Sequence, residues 1–340
     1  MTRMLASAVV LSFTLHAAAA DRHRSGGGPR AVCSASAAAL FTACKADVVD
    51  EAFTAKARCL NISDDAQRAA CSNEARRARN DASDGCKEMR DGRLAACDLL
   101  GEGRYDPDLS PALFDDPRSP SHPNPYFPIT IGNRWVYRGG DELNVVEIVD
   151  ETKLIAGVRC VVARDEVDKA GVLSELTNDW FCPAKAGAVW YFGEETKSYD
   201  TFVDDNPSLP ELVSIDGSFK AGRDGDKPGI IFLASPKVGD VYFEEFSLGN
   251  AEDVTQLLST TYSFGGSADL DQGVPQALAQ RMCANDCVVT KNFSLLEPGD
   301  FGRKYYARGI GVFLEVESDG FVSQLVDCNF DARCVGLPQP

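Results

Sequence analysis

The stretch CLNISDDAQRAAC, residues 59–71, decides how the first third of the chain folds. Its two cysteines bracket a segment rich in capping residues, with Ser63 or Asp64 able to accept the first N–H groups of a following helix. Reading outward, Cys44 and Cys86 are equidistant from position 65, and so are Cys33 and Cys97. The intervals run 11, 15, 12, 15 and 11. On a helix turning ~100° per residue, a step of 11 returns to within about 20° of its starting direction and a step of 15 to within about 60°. Each set of three cysteines therefore forms one stripe, and a hairpin turning here sets each cysteine level with its mirror image. The spacing predicts nested bridges Cys33–Cys97, Cys44–Cys86 and Cys59–Cys71, one of the fifteen connectivities open to six cysteines. Large apolar residues are few in this segment, chiefly Leu40, Phe41, Val48, Val49, Phe53, Met89 and Leu94. Bridges contributing ~2–4 kcal/mol each can replace the missing core. A metal or haem site would need C-x-x-C or C-x-x-C-H spacing, which the segment lacks.

Disulfides presuppose export, and the N-terminus supplies the signal for it. Arg3 forms a positive start, Leu5 to Leu15 an apolar stretch, and Ala17 to Ala20 the small residues of a cleavage site, so residues 1–20 read as a signal peptide with Asp21 as the mature start. Residues 21–30, DRHRSGGGPR, read as a disordered lead-in. The signal stretch is too short to span a bilayer, no other segment approaches ~20 apolar residues, and an integral membrane protein is not expected. The first cysteine is Cys33, which disfavours a lipid anchor at the cleavage point. Export to a periplasmic or extracellular space follows, where disulfides persist.

The 340 residues include 34 basic and 51 acidic side chains, for a net charge of −17, and 44% are hydrophobic, enough for a sizeable core. Residues 21–100 are nearly neutral, with 13 basic and 12 acidic groups, whereas residues 101–340 carry 20 and 39. The acidity thus belongs to the second part of the chain, and it repels nucleic acid and anionic membranes alike. Histidine is nearly absent: His16 lies in the signal, His23 in the lead-in and His122 in a connector, so histidine-based chemistry on a folded scaffold is not expected.

Residues 101–128 hold seven of the 17 prolines and read as an extended connector, or as a strap lying along the next domain through Tyr126 and Phe127. From residue 129 to 335 the pattern changes to short β-branched and aromatic runs bounded by Gly, Asp and Asn, with residues 336–340 as a tail. Strands are predicted at 133–138, 142–150, 157–167, 173–182, 188–192, 197–203, 211–219, 229–234, 240–247, 259–264, 287–293, 303–308, 311–317 and 320–327. Only 251–258 reads as helical, and 267–280 as a loop with a helical turn. The fold class is therefore α+β and multidomain: a disulfide-stapled helical hairpin followed by a large antiparallel β domain built as a curved sheet, half-barrel or sandwich. Cys160 and Cys182 are symmetric about Gly171, so a hairpin there makes them a cross-strand pair. For Cys283, Cys287, Cys328 and Cys334 no symmetry decides; local pairs Cys283–Cys287 and Cys328–Cys334 are preferred, with a zinc site as the functional rival.

Candidate chemistry is sparse. Asp224 and Asp226 in GRDGDKPG, and Asp269 and Asp271 in DLDQG, are closely spaced oxygen ligands that fall short of a full calcium loop. Trp190 beside Glu194 and Glu195, Trp180 beside Asp179, and the pair Glu244 and Glu245 combine stacking rings with carboxylates, as glycoside hydrolysis requires. The same alternation is what any β core produces, and Trp135 and Tyr137 read as the core face of the first strand. Serine-nucleophile, dinucleotide and phosphate-loop motifs are missing, and Ser218 lacks a histidine partner. Asn61 and Asn292 head N-x-S acceptors that matter only in a eukaryotic secretory pathway.

The run NPYFPITIGNRWVY (124–137), with IAGV (155–158), VWYFG (189–193), KPGI (227–230), PKVGD (236–240) and YYARGIG (305–311), resembles an uncharacterised family of secreted bacterial proteins. That resemblance spans most of residues 124–317 and implies export without implying an activity. The YARGIG element also looks like periplasmic lipoprotein-carrier-type β proteins, which would imply a curved sheet holding acyl chains. The expected function is a non-enzymatic secreted or periplasmic protein whose β domain binds a hydrophobic ligand or an envelope partner, with no cofactor. The alternatives are a carboxylate-based hydrolase of glycans and a calcium-binding structural protein.

Overall fold

Alanine and long polar side chains make the first region helical: α1 (Val32–Leu60) and α2 (Asp65–Leu100) run antiparallel about the turn at 61–64. The structure, a computed structural model, describes residues 31–340, so the expected signal peptide and lead-in, with His16 and His23, lie outside the described residues. The Asp64 carboxylate caps α2 by accepting the Gln67 N–H at 2.8 Å. All three nested bridges form, with Cα separations of 5.7, 5.8 and 5.6 Å from the open end to the turn, inside the range unstrained disulfides occupy. Ala37 and half-cystines are buried in the hairpin, Ala96 is buried against Phe243, Val254 and Leu295 of the barrel, and Val49, Phe53 and Leu94 are exposed. One expectation needs correcting: α1 is long and apolar enough by composition to cross a membrane. Alanine and cysteine give it that character, and three bridges tie it to the charged α2.

Strands follow as β1 (Arg134–Gly139), β2 (Glu142–Ile155), β3 (Val158–Lys169), β4 (Val172–Pro183), β5 (Val189–Asp200), β6 (Glu211–Ser214), β7 (Phe219–Lys220) and β8 (Lys227–Phe232). The second half supplies β9 (Val241–Phe243), β10 (Glu245–Phe246), β11 (Asp253–Tyr262), β12 (Cys287–Ser294), β13 (Gly302–Ala307), β14 (Gly311–Glu317) and β15 (Val322–Cys328). They form one antiparallel sheet in the order β10-β8-β5-β4-β3-β2-β1-β15-β14-β13-β12-β11-β9, with β6 and β7 added to β5. The two ends of that order are adjacent in sequence. Residues 241–246 pair with β11 through β9 and with β8 through β10, so a single kinked segment bends the sheet into a nearly closed barrel. At the kink, a Cβ on Gly229 would lie 2.0 Å from the Glu244 carbonyl oxygen, so only glycine fits there.

Residues 251–258, read as helical, instead enter β11. Val254, Leu257 and Leu258 mimic a helical face because register shifts between Leu257 and Ser259 interrupt the strand alternation. The stretch read as a loop contains α3 (Ala268–Asp271) and α4 (Gln276–Met282), the latter burying Leu278, Ala279 and Met282 against the barrel. The remaining disulfides are Cys160–Cys182, Cys283–Cys287 and Cys328–Cys334. Cys160 faces Cys182 because β3 and β4 pair across the Ala170-Gly171 turn with one register shift between Val167 and Asp168.

The proline-rich segment is a strap on the barrel. Tyr105 packs against Phe243 and Phe246 and donates to the Pro228 carbonyl at 2.8 Å. Phe114 enters an outer apolar cluster with Phe192 and Trp180. Tyr126 stacks on Phe232, and Phe127 meets Phe181 edge-on. Buried Asn124 donates to the carbonyls of Gly187 and Leu233 at 2.8 and 3.0 Å. The hairpin docks beside it through a bidentate pair, Arg93 to Glu252, both contacts 2.7 Å and both side chains buried.

Candidate functional site

Strand alternation sorts the β residues into a lumen face and an outer face. On β3, Val161, Ala163 and Asp165 face inward while Cys160 and Val162 face out; on β4, Asp179 and Phe181 face inward while Trp180 and Cys182 face out. On β5 a bulge intervenes. Tyr191 pairs with Phe181 and Glu194 with Asp179, so three residues of β4 face four of β5. Gly193 absorbs the extra residue at φ 127°, where a Cβ would lie 2.2 Å from the Phe219 carbonyl oxygen. Without the bulge, alternation from Tyr191 would send Glu195 inward. With it, Glu194 enters the lumen and Glu195 points outward to Lys197 at 3.1 Å, which holds its carboxyl below the usual carboxylate range.

The lumen holds a cavity of about 220 Å³. Its lining combines apolar Phe127, Trp135, Ile148, Phe181 and Ile231 with polar Asn144, Asp165, Asp179, Lys304 and Glu315. Trp135 is anchored by its indole N–H to the Ile310 carbonyl at 2.7 Å, and Tyr137 by its hydroxyl to the Val312 carbonyl at 3.0 Å. Two buried oxygens, Asn144 Oδ1 and Asp165 Oδ1, accept no hydrogen bond from the described residues. Burial pushes the Asp165 carboxyl up to about 7; contact with the Asn144 side-chain amide works against it, and Glu175, Glu194 and Glu315 push it up further.

The Tyr191 hydroxyl lies 2.5 Å from Asp179 Oδ1 and 2.9 Å from Glu194 Oε2. A hydroxyl has one proton to give, so the second carboxyl must donate its own to the phenolic oxygen. One of the pair is therefore protonated. Burial is the main reason that Asp179 is raised well above the carboxylate range and Glu194 to about 7; for Asp179, repulsion from Glu194 and Asp165 adds to it. Glu245, also raised well above its usual value by burial, Asp253 and Glu194, belongs to the same acidic group. Glu244 sits in a second network, accepting from Thr255 Oγ1 at 2.6 Å and Asn292 Nδ2 at 2.5 Å, with Lys304 Nζ 3.6 Å away. Burial disfavours the Lys304 ammonium, but Glu244 and Glu315 outweigh it and keep the amine charged.

Of the four glutamates named from sequence, the structure thus gathers Glu194, Glu244 and Glu245 and sends Glu195 away. It adds Asp165, Asp179, Asp253, Glu315 and Lys304, which sequence reading missed. Their signal was period-two spacing, as in Glu175, Thr177, Asp179 and Phe181, but the opposite face of the same strand carries Trp180 and Cys182 and reads as core equally well. The rings also separate: Trp180 and Trp190 lie on the outer face and Trp135 on the lumen. The Tyr191 hydroxyl fills the space between Asp179 and Glu194, where a hydrolase would need a glycosidic oxygen.

The calcium candidates occupy different settings. Asp271 accepts from the Tyr262 hydroxyl and the Gly265 N–H, both at 2.9 Å, and so braces the α3 turn that also carries Asp269. Asp224 and Asp226 lie in the loop between β7 and β8, rimming a hollow with Lys153, Lys220 and Arg223. Among the described residues no group of three or more His, Cys, Asp or Glu side chains could hold a metal ion. His122 is exposed, its ring nitrogen 2.9 Å from the Lys185 carbonyl. No protein-family model, curated protein or solved structure matches this chain.

Proposed function

We propose that the chain is an exported, non-enzymatic binding protein whose lumen takes a small amphipathic molecule with a hydrogen-bond-donating head, an ammonium above all. The observation that carries this is the pair of unpartnered acceptors, Asn144 Oδ1 and Asp165 Oδ1, on the wall of a cavity also lined by Phe127, Trp135 and Phe181. Unpaired buried acceptors cost ~1–3 kcal/mol each, which a donor would recover. The volume is below the ~300–1,000 Å³ of sites for drug-sized ligands, so a compact ligand fits better than a long acyl chain. Six disulfides agree with an oxidising compartment. A periplasmic or extracellular destination, with cleavage near Ala20, rests on the sequence of the N-terminus and on the motif likeness of residues 124–317 to exported bacterial proteins. The test is thermal stabilisation by benzylamine against benzoate at pH 7. Benzylamine should raise Tm saturably in the parent protein and not in Asp165→Ala; equal effects of both compounds, or an unchanged response in the variant, would overturn the reading.

A second reading, docking to an envelope partner, is favoured by one surface. Phe202, Val203, Leu209, Leu212, Val213 and Ile215 are all exposed in and beside β6, a density of apolar side chains that soluble surfaces seldom carry without a contact to make.

A further inference from the structure

On the outer face of the barrel, two lysines converge on Trp180, and an arginine lines the same hollow. Lys153, near the end of β2, places Nζ 4.1 Å from the indole centroid, and Lys220 of β7 places its own 4.7 Å from the same centroid. The two ammonium groups can be no farther apart than the sum of those distances. Arg223 lines the same hollow, whose volume is about 390 Å³. Among the described residues, none of the three has a carboxylate oxygen within 4.0 Å. Glu195, which rims the hollow, is engaged by Lys197 instead. Burial and repulsion from Lys153 and Arg223 together lower the Lys220 pKa.

This arrangement is costly as it stands. Each lysine gains ~0.5–2 kcal/mol from the ring face, but that attraction does nothing to cancel the repulsion between them. Glu195 attracts Lys153 and Lys220 at longer range, but no carboxylate of the surrounding region, residues 101–340, forms an ion pair with any of the three. We propose that Lys153 and Lys220, gathered over Trp180, form with Arg223 of the same hollow a binding site for a compact phosphate-class oxyanion. Glu195, Asp224 and Asp226 stand around the rim, and with the acidity of the whole domain they repel polyanions while leaving room for one small anion. The site is independent of the lumen and stands whether or not an amine binds there.

Titration calorimetry with inorganic phosphate, against sodium chloride at matched ionic strength, tests it. The parent protein should bind phosphate saturably at one site, with at least a tenfold loss of affinity in Lys220→Met and in Lys153→Met. Both variants should melt no lower than the parent without phosphate, because each relieves the like-charge contact. Phosphate heats no larger than those of chloride, or unchanged phosphate affinity in the folded Lys220→Met variant, would overturn the assignment. Vesicles of phosphatidylglycerol, compared with phosphatidylcholine, separate the sources of the anion: displacement of phosphate points to a lipid headgroup, and failure to displace it to a free oxyanion.

Discussion

The hairpin and the barrel solve the same stability problem by opposite means. In α1 and α2, apart from Arg93 at the seam with the barrel, the buried residues are alanines and half-cystines, with Phe53 left in solvent, and covalent links supply what packing does not. In the barrel, Tyr305, Tyr306, Phe313 and Leu325 are fully buried, and its three disulfides are additions to a core that already exists. The lesson is that burying apolar area and restricting the unfolded chain are interchangeable up to a point: the hairpin tolerates a polar, alanine-rich sequence only while its bridges are closed.

The sharpest way to break this comparison is to remove the bridges region by region. Replacing the six hairpin cysteines by serine removes roughly 2–4 kcal/mol per bridge, and far-ultraviolet circular dichroism should lose most of the helical signal while the near-ultraviolet signal of the barrel persists. The matching replacement of Cys283 and Cys287 should leave both regions folded. Next in size is the seam between the two regions. Arg93→Ala strands the Glu252 carboxylate in an apolar interface, at a cost of ~3–5 kcal/mol, measurable by urea unfolding; the double replacement Arg93→Met with Glu252→Met should recover most of it.

A smaller effect separates the regions by pH. Asp165 and Glu194 carry folded-state pKa values of about 7, against roughly 4 in an unfolded chain. The folded barrel therefore keeps protons that the unfolded chain releases across that window. Stability is fully present below the unfolded value and is lost as pH rises through 7. The barrel Tm should fall between pH 4.5 and 8, by about 2–4 °C for each kcal/mol lost in a domain of this size. Asp165→Asn should flatten the slope, and the hairpin, which has no such lumen, should not show it. Smallest of all, Phe53→Ser in the hairpin should change stability by less than about 0.5 kcal/mol, whereas a comparable truncation at Phe313 would cost ~3–5 kcal/mol.

The two regions also differ in how far they can be read in advance. Mirror-image cysteine spacing is a global constraint written in local distances, so the hairpin, its turn and its pairing are legible down to single residues. Strand positions are legible as well, because turns carry Gly, Asn and Asp. What strand patterning leaves open is the side of the strand. Trp180 and Asp179 alternate equally well for either face, and the choice between Glu194 and Glu195 depends on one glycine bulge whose cause, the backbone of Phe219, is distant in sequence. The same blindness turned 251–258 into a helix, since its bulges exist only in the presence of β9 and β12.

The kinked segment at 241–246 has a consequence for synthesis. The ring is joined at two places, at that segment, where the paired strands are near in sequence, and between β1 and β15, which are far apart in it. β1 is made early, yet its partner ends at Cys328, so it stays an open edge until nearly the whole chain is present. Completion of the barrel is thereby a late, all-or-nothing event, and a chain cut short anywhere in the last strand would be left with two unpaired edges, the geometry from which intermolecular sheets grow.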